Sequence, residues 1–134
     1  MSGLILPTID ELNRPFWAAC RRGELVLQCC SACGRRRYPI AQLCPTCLCD
    51  AYTWEPVSGR GNVYSFTVFR HAYNDAWRDR IPYVVALIAL DEGPFMLTDL
   101  VNVSPEDVRV DLPVTAVFEA VTDEVTIPRF TPVQ

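Results

Sequence analysis

Two cysteine pairs constrain this chain more than any other feature: Cys30-x2-Cys33 and Cys44-x2-Cys47, with ten residues between them. Zinc takes four thiolates in a tetrahedron with arms of about 2.3 Å, and a CxxC turn offers two sulfurs on one side of such a site. Gly34 stands just past the first pair, where a knuckle needs a tight backbone, and Pro45 stiffens the second. Two knuckles on the ends of short hairpins make a zinc ribbon. The spacer is shorter than the commonest pattern of about fifteen to twenty residues, yet long enough for a short excursion. The spacing predicts one structural Zn2+ per chain, held by Cys30, Cys33, Cys44 and Cys47. A redox CxxC would open a helix within a βαβ unit, which the surrounding sequence lacks. Four thiolates also close the coordination shell, leaving the metal no open position for Lewis-acid chemistry.

Three further cysteines bring the total to seven. Cys29 and Cys49 offer poorer knuckle spacings, and a neighbour of Cys30 on an extended strand faces the opposite way. Both are expected to be spare thiols, and Cys20 a small core residue on a helix. The opening residues, MSGLILPTIDELNRP, have no basic stretch and only a brief apolar run, unlike a signal peptide. The longest apolar run, VVALIAL, is strand-length and far short of the roughly 20 residues that span a bilayer. A cytoplasmic chain without membrane association is expected, a setting in which paired cysteines bind metal rather than form disulfides.

Three segments follow. Residues 1–23 read as an N-terminal helical segment. Thr8 and Asp10 are possible caps, Pro15 suits a first helical turn, Arg21 and Arg22 suit a helix C-terminus, and Gly23 is a stop. One helix, or two broken at Arg14–Pro15, would fit. Residues 24–56 form the ribbon, with ELVLQC, RRRYPI and AYTW as short strands. Residues 57–134 are β throughout and end in a short tail: GNVYSFTVFR, PYVVALIALD, FMLTDLVNV, PVTAVFEAV and TIPRFTPV are separated mostly by turn signals such as DEGP and SPEDV. The fold class is therefore mainly β. Five short antiparallel strands with a long first connection suggest a Greek-key barrel of the OB type, with an open five-stranded sandwich as the alternative.

Charge and lone residues narrow the function. Residues 1–60 carry seven Arg against five Asp and Glu, and residues 61–134 carry five Arg against eleven. An acidic barrel speaks against a surface that tracks phosphates, so single-stranded nucleic-acid binding is the weaker reading of an OB fold. His71, the only histidine, has no catalytic signature around it, and SGRGNV lacks the strand–helix setting of a dinucleotide site. No catalytic residue is assigned. Arg35, Arg36 and Arg37 form a basic run on the ribbon. They are read as a solvated hairpin tip or, with Arg60, as contacts to phosphates or an acidic partner. Tyr73 and Trp77, in the loop HAYNDAWRDR, are candidate partner contacts or plugs for the barrel end. Hydrophobic residues make up 50% of the chain, which fits either a well-filled β core or apolar surface covered by a partner.

Taken in order, GELVLQCCSACGRRRYPIAQLCPTC, SGRGNVYSFTVFR, IPYVVALIALDEGP and EDVRVDLPVTAVFE resemble the zinc-ribbon plus OB-fold family catalogued as domain of unknown function number thirty-five. RPFWAACRRGEL resembles that family's N-terminal helix, so the resemblance covers nearly the whole chain. It implies a non-catalytic accessory or scaffold subunit. The implied partner is a thiolase-superfamily enzyme (thiolase, thiolase-like aldolase or acyltransferase) in a hetero-oligomer, with a coenzyme A thioester at the interface. It also implies that zinc is structural and that Cys30, Cys33, Cys44 and Cys47 are its ligands, whereas Cys29 and Cys49 depart from the family pattern. A stand-alone acyl-CoA-binding protein is the further alternative.

Overall fold

The computed structural model describes residues 6–71 and 75–133. Tyr73 lies outside them. Trp77 sits on the 3-10 turn Asp75–Arg80, and its side chain is likewise outside what is described. One helix forms at the start, α1 (Arg14–Arg21), with Pro15 in its first turn as expected. The anticipated caps are displaced by Asn13, which precedes the helix. Asn13 N–H donates to Asp10 Oδ1 and Asp10 N–H donates to Asn13 Oδ1, a reciprocal pair at 2.9 and 2.8 Å. Thr8 supplies only its carbonyl, to Asn13 Nδ2. Gly23, with φ of 78°, ends the helix as its N–H closes onto the Cys20 carbonyl. Phe16, Ala19 and Cys20 form the buried face, and burial pushes the Cys20 thiol up to about 12.

The ribbon is a three-stranded sheet, β2 (Arg36–Arg37), β1 (Leu25–Cys30) and β3 (Tyr52–Val57), antiparallel throughout. The return strand is shorter than RRRYPI suggested: it covers Arg36–Arg37, and Pro39 beyond it has no amide hydrogen to donate to the ladder. The sheet's edges are β2, of two residues, and the outer side of β3, which carries Pro56.

The barrel comprises β4 (Arg60–Phe69), β5 (Tyr83–Leu90), β6 (Phe95–Leu100), β7 (Pro113–Ala120) and β8 (Thr126–Pro132), in the closed order β4-β5-β6-β8-β7. Closure through Arg60↔Thr115 and Gly61↔Val114 excludes the open sandwich. One seam corrects the uniformly antiparallel expectation: β6 and β8 run parallel, meeting at Leu100↔Phe130. The physical reason is the connection after β6. It crosses the barrel through the turn Pro105–Asp107 before β7 starts, and the β7–β8 hairpin then returns in the direction of β6.

Inward residues of every barrel strand meet in one core, with Val63, Ala86, Ile88, Val114 and Phe130 at its dry centre. Phe16 and Cys20 of α1 and Leu25 and Leu27 of β1 join the same cluster, so the ribbon is anchored to the barrel by shared burial. At the closure point, Gly61 pairs with both β5 and β7. A Cβ there would lie 2.4 Å from the Ala89 carbonyl oxygen, so only glycine fits. No helix among the described residues is long and apolar enough to cross a membrane.

Candidate metal centre

The two knuckles are built alike. In the first, the Cys30 N–H donates to the Arg35 carbonyl and the Gly34 N–H to the Cys30 carbonyl, each at 2.9 Å. In the second, the Cys44 N–H donates to the Cys49 carbonyl and the Leu48 N–H to the Cys44 carbonyl, at 2.9 and 2.8 Å. Gly34 and Leu48 therefore hold equivalent places, and both are left-handed, with φ of 77° and 64°. Glycine takes that conformation freely, whereas leucine is strained there. The Leu48 side chain is 71% exposed, so it gains little packing in return. Leu48→Gly is expected to raise stability by roughly 0.5–1 kcal/mol, the relieved strain exceeding the added freedom of the unfolded chain. Urea denaturation of the two proteins measures the difference.

The ligand atoms of Cys30, Cys33, Cys44 and Cys47 all lie within 4.8 Å of one another. Cys30 and Cys47 sulfurs are 3.6 Å apart, as are those of Cys33 and Cys44. A tetrahedron with zinc–sulfur arms of about 2.3 Å has edges of about 3.8 Å, so the cage fits a zinc-sized ion. Backbone amides prepare the thiolates. The N–H groups of Cys47 and Thr46 bring the Cys44 thiol down to about 6, and those of Cys33 and Ala32 lower Cys30. The Cys49 amide acts in the same sense on Cys47. Even so, hydrogen bonding with Cys30, with burial behind it, pushes that thiol up to about 12. A metal-free cage thus resists full ionisation, and a bound dication would relieve it.

The spare thiols sit aside. Cys29 turns its Sγ toward the Gly34 carbonyl, and burial together with the Glu55 carboxylate raises its pKa. Cys49 Sγ accepts from the Ala51 N–H at 3.4 Å.

Beside the cage lies a concavity of about 500 Å³, walled by residues 34–38 and Pro45 of the ribbon and by residues 92–95 of the β5–β6 turn. The three arginines of the basic run divide here. Arg35 is exposed and donates to Thr46 Oγ1 at 2.7 Å. Arg36 pairs with Glu55 at 3.8 Å. Arg37 turns inward and is only 3% exposed. Its guanidinium lies over the Tyr52 ring at 4.8 Å and donates to the Ala41 carbonyl, so it holds the fold rather than facing outward. Arg60 is exposed at the start of β4 and lines no part of this concavity. His71 is exposed just past β4.

Sequence reasoning missed Gln28. It is fully buried, and its amide clasps Ala41 from both sides: Nε2 donates to the Ala41 carbonyl and Oε1 accepts the Ala41 N–H, both at 2.9 Å. Gln28 and Arg37 together pin the loop that delivers the second knuckle. The only signal was a polar residue within the otherwise apolar stretch LVLQCC.

Comparison with known proteins agrees with this architecture. Residues 17–53 match the family described as "ChsH2, rubredoxin-like zinc ribbon domain", and residues 54–119 match "ChsH2, C-terminal OB-fold domain". A "Probable enoyl-CoA hydratase alpha subunit" from Thermomonospora curvata is 35% identical over 94% of this chain, although the chain spans only 39% of that relative. A "DUF35 domain-containing scaffold protein" from Methanocaldococcus jannaschii is 34% identical, over 71% of this chain and 67% of the relative. The solved structure titled "Ltp2-ChsH2(DUF35) aldolase" contains a chain that superposes with a TM-score of 0.84 at 34% identity, covering 95% of this chain and 98% of that one. With its four-cysteine ribbon joined to a closed five-stranded barrel, this chain belongs to the ChsH2-type DUF35 family of zinc-ribbon and OB-fold proteins.

Proposed function

We propose that this chain is a cytoplasmic, non-catalytic accessory subunit. In this reading it binds a thiolase-superfamily enzyme (thiolase, thiolase-like aldolase or acyltransferase) and helps form that enzyme's acyl-CoA site. The observation that carries the reading is the near end-to-end likeness to the chain of the "Ltp2-ChsH2(DUF35) aldolase" structure. The concavity beside the ribbon supports it. Its lining includes Arg35, Arg36, Pro45 and Phe95, groups suited to binding and positioning a ligand, together with the carboxylate of Glu92. Arg35 and Arg36 could meet the phosphates of a coenzyme A thioester there, with Arg60 serving the partner side. One zinc ion on Cys30, Cys33, Cys44 and Cys47 would hold the ribbon that carries these arginines. With four thiolates around it, that ion supplies structure and no open coordination position.

The test is the native mass of the complex isolated from the protein's own host, with the partner identified. A stoichiometric complex with a thiolase-fold enzyme supports the proposal. A chain that stays alone, and whose removal leaves acyl-CoA turnover intact, refutes it. Calorimetric titration with acetyl-CoA then locates the ligand. Heat with the complex but not with the isolated chain supports a shared site, and heat with the isolated chain supports the stand-alone acyl-CoA-binding alternative.

A further inference from the structure

The two knuckles of the cage are supported unequally. The first grows out of the sheet. Cys30 ends β1 and pairs with Tyr52 of β3, and the next amide, Ser31 N–H, donates to the Ala51 carbonyl. The second lies in the stretch between β2 and β3, which holds no strand or helix. The Cys44 and Leu48 amides shape it from within. Among the described residues, however, no backbone-to-backbone hydrogen bond joins residues 39–48 to the sheet. Two of the four sulfurs therefore ride on a segment that the ladder does not hold.

Side chains make the attachment instead. Gln28 sits within β1, opposite Arg37 of β2 and Trp54 of β3. A fully buried amide is costly unless its groups are paired, and Ala41 supplies partners for both ends of this one. Arg37 adds Nε and Nη2 to the same Ala41 carbonyl, at 3.2 and 3.0 Å. The sheet thus favours the one loop path that brings Ala41 to these two side chains. Ala41 precedes Cys44 by three residues, a reach of no more than about 11 Å. Fixing Ala41 consequently confines where the Cys44 sulfur can be. A further tie, Arg35 Nη1 to Thr46 Oγ1, spans the knuckles but is exposed, so water competes for both partners.

An ion can bond all four sulfurs only when the loop carrying Cys44 and Cys47 is in place. Ordering that backbone costs entropy at every residue. Where a fraction of chains holds the competent arrangement before binding, the apparent dissociation constant rises by the inverse of that fraction. Any contact that orders the loop by itself therefore tightens metal binding.

From these observations we infer that Gln28 and Arg37 are positioning residues for the metal. By holding Ala41 from the sheet side they set the second knuckle against the first, and so raise the affinity of the four-cysteine cage for Zn2+ without touching the ion. The inference rests on the reading of the cage as a zinc site and adds to it the residues that set its affinity.

The experiment uses full-length chains stripped of metal under reducing conditions. They are titrated with Zn2+ against a chelating indicator, and with Co2+, whose visible absorption reports tetrahedral thiolate ligation. Gln28→Met keeps the length of the side chain and removes both of its hydrogen bonds. It is expected to weaken Zn2+ binding by about tenfold or more, while the Co2+ spectrum at saturation stays that of the wild type. Arg129→Ala, which removes a cation bridging β6, β7 and β8, is expected to keep wild-type affinity. Wild-type affinity in Gln28→Met overturns the inference and leaves the zinc reading standing. Equal losses in Gln28→Met and Arg129→Ala also overturn it, because affinity would then follow general stability. A wild-type chain that binds neither ion overturns the zinc reading, and the inference with it. Should Gln28→Met fail to fold, Arg37→Lys decides, since it keeps the positive charge but not the fork on Ala41. A loss of about threefold or more in Zn2+ affinity with an unaltered Co2+ spectrum supports the inference, and unchanged affinity overturns it.

Discussion

Cys30→Ser is expected to abolish zinc binding and to unfold the ribbon, whereas Cys29→Ser is expected to bind about one zinc per chain. The two residues are neighbours on β1, yet only the Cys30 sulfur faces the cage, 3.6 Å from that of Cys47. Removing a sulfur that would bond the metal directly should cost more than the roughly 10–100-fold in affinity that follows loss of a residue hydrogen-bonded to a ligand. The consequence is structural because the second knuckle has little regular structure of its own. Between β2 and β3 the chain forms no strand or helix, and it is held by the Gln28 and Arg37 clasp on Ala41 and by the cage. Metal analysis and hydrogen exchange at the amides of Cys44 and Leu48 check the prediction. Full zinc retention in Cys30→Ser, or loss of zinc in Cys29→Ser, would show that the ligand assignment is wrong. Zinc should also leave as the pH falls, since protons compete for all four sulfurs.

Arg129→Ala is expected to destabilise the barrel by roughly 3 kcal/mol, near the lower end for breaking a buried ion pair. Arg129 points outward from β8, yet its side chain is only 7% exposed. Its guanidinium binds Asp99 of β6 through Nη1 and Glu119 of β7 through Nε, the latter at 2.6 Å. It thus bridges the two strands flanking β8, including the parallel seam, where the ladder is shortest. Most of the cost comes from Asp99, whose side chain is 16% exposed and would be left without its cation. Glu119 is 40% exposed, so water screens its share, and Glu119→Gln should cost under about 1 kcal/mol. Urea melts of the three proteins give the comparison. Equal losses for Arg129→Ala and Glu119→Gln would contradict this division.

What could be read from the chain beforehand was what short-range spacing encodes. The paired cysteines at three-residue steps, the Pro15 and Gly23 helix limits and the alternating barrel strands are all local patterns, and they reappear in the structure. What could not be read was set by distant neighbours. The β6–β8 pairing depends on a crossing that no local pattern announces. Arg37 looks like its two neighbours in a basic run, and only the β1–β2 register, which sets it opposite Gln28, carries it inward. Asn13 displaced Thr8 and Asp10 as the helix's leading residue because Asp10 was engaged in a reciprocal bond with it. The two-sided apolarity of β5 was visible as the run VVALIAL, but only barrel closure shows which half of it lacks a core to fill.

The ribbon's narrow edges affect how the protein behaves when made without a partner. Sheets polymerise by adding strands along long, flat edges. Here the barrel has no edge, β2 offers two residues, and Pro56 on β3 has no amide hydrogen to donate. Edge-to-edge pairing of folded molecules is therefore confined to the short outer side of β3, which Pro56 interrupts. An overproduced preparation is expected to show reversible, concentration-dependent association rather than growth along a sheet edge, which light scattering on dilution would check.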